Sequence, residues 1–231
     1  LFSVNYLLIG IYEYNNYLKP KLIFLSMLVF FGYFLLEFFP TLGYYSRAVY
    51  ILVTSAGLYM LLLAVNVYIV SEKREGSIPL LQPAKVIAYL AFVMAVFLAS
   101  TIIYKLEWFT NYPVYNLFSK FLLFGVFYSL LFKYTSWVFI SEGGVGGEAF
   151  NTEDEQLLRR LQIFAVICLT EFSLVLMFFP FEAFGRAVIL GGTVYYINNF
   201  IQNYIAHKVN WKFLIEIIGA LTLIYTLVYF T

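Results

Sequence analysis

The residues with the most chemistry to offer stand late in the chain. Asn199, Asn203 and His207 recur at every fourth position, Gln202 lies beside them, and Glu216 follows on the next apolar run. On a helix this spacing places the first three on one face. Amides, an imidazole and a carboxylate inside apolar segments either bind a solute or tie helices together by hydrogen bonds. His207 alone reads as an interfacial residue at a helix end, and Gly191-Gly192 as a place where a neighbouring helix comes close. Cys168 and Glu171 share a face of the preceding run at i, i+3. A nucleophilic cysteine needs a basic neighbour, and its nearest companion here is an acid. With one cysteine and one histidine in the chain, an intramolecular disulfide, a thiolate metal cluster and bis-histidine haem ligation are all excluded. No His-Glu zinc motif, paired-aspartate site or Gly-x-Ser-Gly nucleophile is present, so no metal ligand and no cofactor is expected.

The elements that must position these groups are membrane helices. Of the 231 residues, 63% are hydrophobic, 22% aromatic and 12% charged, about half the charge of an ordinary soluble domain. The net charge of +1 offers nothing to nucleic acid. Seven apolar runs, Lys21–Phe39, Ala48–Val70, Lys85–Tyr104, Tyr115–Ser136, Leu161–Phe179, Ala187–Ala206 and Trp211–Phe230, each approach the roughly 20 residues that cross a bilayer. Their backbone must be satisfied internally in lipid, which leaves helices or closed barrels. Continuous apolarity, rather than alternation, selects helices.

A motif recurs along these runs. Phe38-Phe39-Pro40 is followed by Arg47-Ala48-Val49, and Phe178-Phe179-Pro180 by Arg186-Ala187-Val188. A weaker copy, Tyr112-Pro113 with Lys120, lies between them. Tyr59 and Asn66, Tyr128 and Thr135, and Tyr196 and Asn203 keep the same separation in the returning helix of each hairpin. The expected fold is an all-α integral membrane protein: three parallel helical-hairpin repeats plus a final helix, giving about seven transmembrane helices. In each copy, proline ends the outgoing helix and the basic residue starts the returning one at headgroup level. Residues 1–20 form an interfacial or truncated N-terminal segment. Residues 21–231 form one polytopic domain of hairpins 21–70, 85–136 and 161–206 and a last helix 211–230.

Charge sets the orientation. Lys19, Lys21, Lys73, Arg74, Lys85, Arg159, Arg160, Lys208 and Lys212 fall on one side, and Arg47, Lys105, Lys120 and Arg186 on the other. By the positive-inside rule the amino terminus is cytoplasmic and the carboxyl terminus outside. Ser71–Ala84 reads as a solvated connector. Gly143 to Gly147 reads as part of a flexible linker, because a phosphate-binding loop would need Lys and Ser/Thr at the helix start. Thr152 and Glu155 have capping-box spacing, which starts the fifth helix before the bilayer.

Cys168, Arg186 and the run Asn199-Phe200-Ile201-Gln202-Asn203 resemble the exosortase and archaeosortase membrane transpeptidases. That resemblance implies Cys168 as nucleophile and Arg186 as its partner. It departs from those families at Gln202, where they carry an arginine, and the repeat already accounts for Arg186. The leading functional expectation is therefore non-catalytic: a packing or assembly subunit of a membrane complex, in contact with lipids and with other membrane subunits. The second is a small transporter or solute-binding module using Asn199, Gln202, Asn203, His207 and Glu216. The third is the cysteine transpeptidase.

Overall fold

The computed structural model describes residues 18–37, 43–73, 81–107, 112–140, 152–205, 209 and 211–230. They form seven α-helices: α1 (Leu18–Glu37), α2 (Tyr44–Lys73), α3 (Leu81–Lys105), α4 (Pro113–Ile140), α5 (Thr152–Val175), α6 (Ala183–Ile205) and α7 (Trp211–Phe230). A 3₁₀ turn, Leu176–Phe178, extends α5. All seven expected helices are present, and α5 starts at the capping-box residue Thr152. Four of them are long and apolar enough to cross a membrane, over Tyr44–Val67, Gln82–Lys105, Val114–Thr135 and Gln156–Phe178. The expected N-terminal segment before residue 18, the Phe38-Phe39-Pro40 turn, the glycine-rich linker and His207 lie outside the described residues.

Two prolines act differently from the sequence expectation. Pro113 opens α4 rather than closing α3, and Asn116 N–H already bonds to the Tyr112 carbonyl at 3.1 Å. Pro83, expected in the connector, lies in the first turn of α3. Both are tolerated because first-turn N–H groups have no partner within the helix, so a residue lacking one costs little. Pro180 does follow the expected logic. The 3₁₀ turn closes with Phe179 N–H on the Leu176 carbonyl at 3.3 Å. Phe179 is then extended (φ −87°, ψ 148°), the conformation that a following proline imposes.

The bundle is organised around α3, which packs against α1, α2, α4 and α6. Over its apolar span 56% of residues are buried, against 17% for α2 and 28% each for α4 and α5. Between α1, α3 and α4 the core is aromatic: Phe31 meets Phe127 edge-on, Phe92 meets Phe132, and Phe124 stacks on Tyr128. Where lipid surrounds a bundle, burial of apolar area gives helices little reason to associate, so close fit and hydrogen bonds must hold them. The glycines of α6 provide such a fit. A Cβ on Gly185 or Gly192 would come within 2.8 Å of Val228 or 2.7 Å of Ile224 on α7, while one on Gly191 would meet Val93 of α3 at 3.6 Å. The adjacent pair Gly191-Gly192 thus admits two different helices, α3 and α7. Hydroxyls inside the helices return to their own backbone: Thr101, Thr135, Thr170 and Thr193 each donate to the carbonyl four residues earlier, which spares them an apolar orphan.

Candidate functional site

Polar side chains gather at both ends of the bundle. At the end where α3 turns into α4 and α5 into α6, here the turn end, groups from three other elements meet Tyr104. The Tyr104 hydroxyl donates to the Ser173 carbonyl at 2.8 Å, crossing from α3 to α5. Lys120, 5% exposed in the second turn of α4, donates to the Tyr104 carbonyl at 3.1 Å. Arg186 sits over the Tyr104 ring, 5.5 Å from its centroid, and donates to the Phe179 carbonyl at 3.1 Å. Tyr128 and Ser173 share a 3.0 Å hydrogen bond, and Ser173 also donates to the Leu169 carbonyl. Lys120 and Arg186, two of the three basic residues of the recurring motif, therefore satisfy carbonyls at the ends of α3 and of the 3₁₀ turn that extends α5. A helix C-terminus leaves such carbonyls open, and a cation is well placed to meet them.

The other end, where α2–α3 and α4–α5 are joined, is the loop end. There the side chains expected to form a site divide. Asn203 Nδ2 donates to the Asn199 carbonyl at 2.9 Å and to Asn199 Oδ1 at 3.0 Å, so this pair shares a face and bonds within α6. Gln202 is half-buried, with a buried Nε2 that has no partner. Glu216 is exposed. The inward stripe of α7 is Ile217, Ala220, Leu221, Ile224 and Val228, and Glu216 lies one residue, about 100° of helix, away from it. Glu216 is thus not gathered with the asparagines.

A different stripe of α6 faces α3. Phe184 contacts Phe97, Gly191 lies against Val93, and Tyr195 meets Tyr89. The stripe continues to Asn198 and Gln202, and the matching step on α3 leads to Lys85. Asn198 is 1% exposed with an unpartnered Nδ2, and Lys85 is 5% exposed. Gln162, on the buried stripe of α5 with Leu158, Ala165 and Leu169, also carries a buried, unpartnered Nε2. Gln162 lies about as far before the α5–α6 turn as Asn198 lies after it, roughly 22–24 Å of helix.

Lys85 and Gln162 escaped the sequence reading. Lys85 was expected as a charge on the cytoplasmic side and the first residue of its span. Their depth relative to the turns was the available signal.

Cys168 is half-buried on α5 and Arg186 is committed to Tyr104 and Phe179. Their positions on the two arms of the hairpin differ by roughly 10 Å along the bundle. The structure does not bring them together as a catalytic pair. Glu171, one turn beyond Cys168, is exposed on the α5 face that also exposes Phe164, Ile167 and Val175. Among the described residues no three His, Cys, Asp or Glu side chains are grouped to hold a metal ion. Comparison of the chain with protein-family models, with curated proteins and with solved structures gives no match in any of the three.

Proposed function

We propose that the chain is a non-catalytic, seven-span assembly subunit of a membrane complex, with a cytoplasmic amino terminus. The observation that carries this reading is Glu171. It lies within the α5 span Gln156–Phe178, about 10 Å of helix from the turn end, on an otherwise apolar exposed stripe. A carboxylate facing lipid at such a depth costs about 2.5–3.5 kcal/mol even on insertion-based scales, and charged groups in spans ordinarily face protein. A partner helix presenting Lys or Arg to this stripe removes that cost. The broad uncovered face of α2, with Ile51, Leu52, Tyr59 and Met60 exposed, adds surface for packing, and lipid would suit it equally.

The test is purification of the tagged chain in mild detergent, beside Glu171→Gln and Glu171→Leu. A stoichiometric partner retained by the parent and depleted in Glu171→Leu is the expected result. A solitary parent chain, unchanged in size and yield by Glu171→Leu, overturns the assembly reading. Orientation is checked separately in a Cys168→Ser background. Single cysteines at Ser77 and Gly146 should resist impermeant thiol reagents added from outside, and cysteines at Gly43 and Glu182 should react.

A further inference from the structure

The turn end holds two cations with more N–H groups than acceptors. Lys120, 5% exposed on α4, meets one acceptor among the described residues, the Tyr104 carbonyl at 3.1 Å. An ammonium carries three N–H groups, so two are left over. Arg186 of α6 spends one N–H group on the Phe179 carbonyl and lies over the Tyr104 ring. Its Nε is buried without a partner. Both cations thus meet the same residue from different helices, and Arg186 acts on Lys120 electrostatically. Glu107, exposed just past α3, is the acid that acts against that repulsion. Glu182, one turn before Arg186, is also exposed, and among the described residues it pairs with neither cation.

The apolar spans of α3, α4 and α5 end here at Lys105, Val114 and Phe178. Lys120 lies about 9 Å of helix inside its span, yet its side chain reaches back to a carbonyl one residue from the end of α3. The cluster therefore sits at the edge of the hydrocarbon, and Arg186, only half-buried, opens it to the surface. A buried ammonium is costly unless it is paired and hydrogen-bonded. Water can take single N–H groups but brings no charge. A phosphate offers several acceptor oxygens together with negative charge, and Lys and Arg make their stronger, charge-assisted bonds to it. We propose that Lys120 and Arg186 bind a phosphate group at the turn end, carried by a lipid headgroup or by a free solute. The edge position makes both sources accessible. The inference is independent of the assembly reading, because it holds for either facing of the turn end and makes no use of Glu171.

The experiment is thermal unfolding of the full chain, with whatever co-purifies, in dodecyl maltoside. Inorganic phosphate is titrated against chloride at equal ionic strength, and phosphatidylglycerol against phosphate-free diacylglycerol in mixed micelles. The variants are Lys120→Gln, Arg186→Gln, Glu107→Gln and, as a control, Arg160→Gln, which changes an exposed cation near the other end of α5. Saturable stabilisation is expected, weakened at least about tenfold in apparent affinity by Lys120→Gln and by Arg186→Gln. Glu107→Gln removes a competing carboxylate and should tighten binding about two- to fivefold. Arg160→Gln should stay within about twofold of the parent. A response to inorganic phosphate assigns the source to a solute, and a response to phosphatidylglycerol alone assigns it to lipid. No saturable response to either probe overturns the proposal, as does a response that survives Lys120→Gln or Arg186→Gln unchanged. If Lys120→Gln does not fold, Arg186→Gln on another helix gives the same reading. A negative result leaves the assembly reading standing, since that rests on Glu171 and is read by co-purification.

Discussion

The two polar ends of the bundle differ in where their hydrogen bonds run. At the turn end, one residue from each of several helices meets at Tyr104, and the hydrogen bonds cross from α3 to α5 and from α4 to α3 and α5. Three buried polar atoms there have no partner among the described residues, Arg186 Nε, Ser100 Oγ and Asn116 Oδ1. At the loop end, α6 alone supplies four neighbouring amides, yet the Asn203–Asn199 bonds stay within the helix and the amides of Asn198 and Gln202 have no partner among the described residues. Bonds that cross between helices fix their relative positions, whereas bonds within one helix do not. The density of polar residues in sequence therefore points away from the bonds that tie the helices together.

This contrast can be broken by four substitutions, each read by unfolding in mixed micelles. The largest effect is expected from Tyr104→Ala. It removes a buried ring, the seat of Arg186 and the bond to Ser173 together, and should destabilise by about 3–5 kcal/mol, as other large aromatic truncations do. A loss below about 1 kcal/mol would mean that the turn-end network is incidental. Ser173→Ala strands the Tyr128 hydroxyl in the core, where an orphan costs about 1–3 kcal/mol. Asn198→Leu should behave with the opposite sign in the ligand-free protein. Replacing an unsatisfied buried amide by an apolar side chain relieves its desolvation, so the midpoint should hold or rise. A large loss would show that Asn198 is already satisfied. Asn203→Leu gives up bonds made within one helix and should cost about 0.6 kcal/mol or less, the average for hydrogen bonds between membrane helices.

Much of the fold was legible because its signals are local. All seven helices follow from uninterrupted apolarity, and the start of α5 follows from Thr152 and Glu155. The prolines misled because the same residue ends one helix and opens another. Pro180 and Pro113 differ only in which side of the ring the backbone can continue as helix. The close approach at Gly191-Gly192 was also readable, though not that the two glycines serve different neighbours.

The site was legible in its residue types and not in its geometry. Spacing alone groups Asn199 with Asn203, and the structure keeps them on one face. Spacing cannot say which face of α6 meets α3, and that choice selects Asn198 and Gln202 instead. For Glu216, its depth was readable but its rotational position on α7 was not, and a single residue of phase puts it outside.

The central place of α3 bears on how the chain is made. Its closest neighbours include α6, which leaves the ribosome only after α4 and α5 have been synthesised. Until then the strip of α3 from Lys85 through Tyr89 and Val93 to Phe97 has no cover, and it carries an ammonium. A nascent chain halted before Ala183 must leave that strip to lipid or to the insertion machinery, and insertion of α6 is the event that completes the packing of α3.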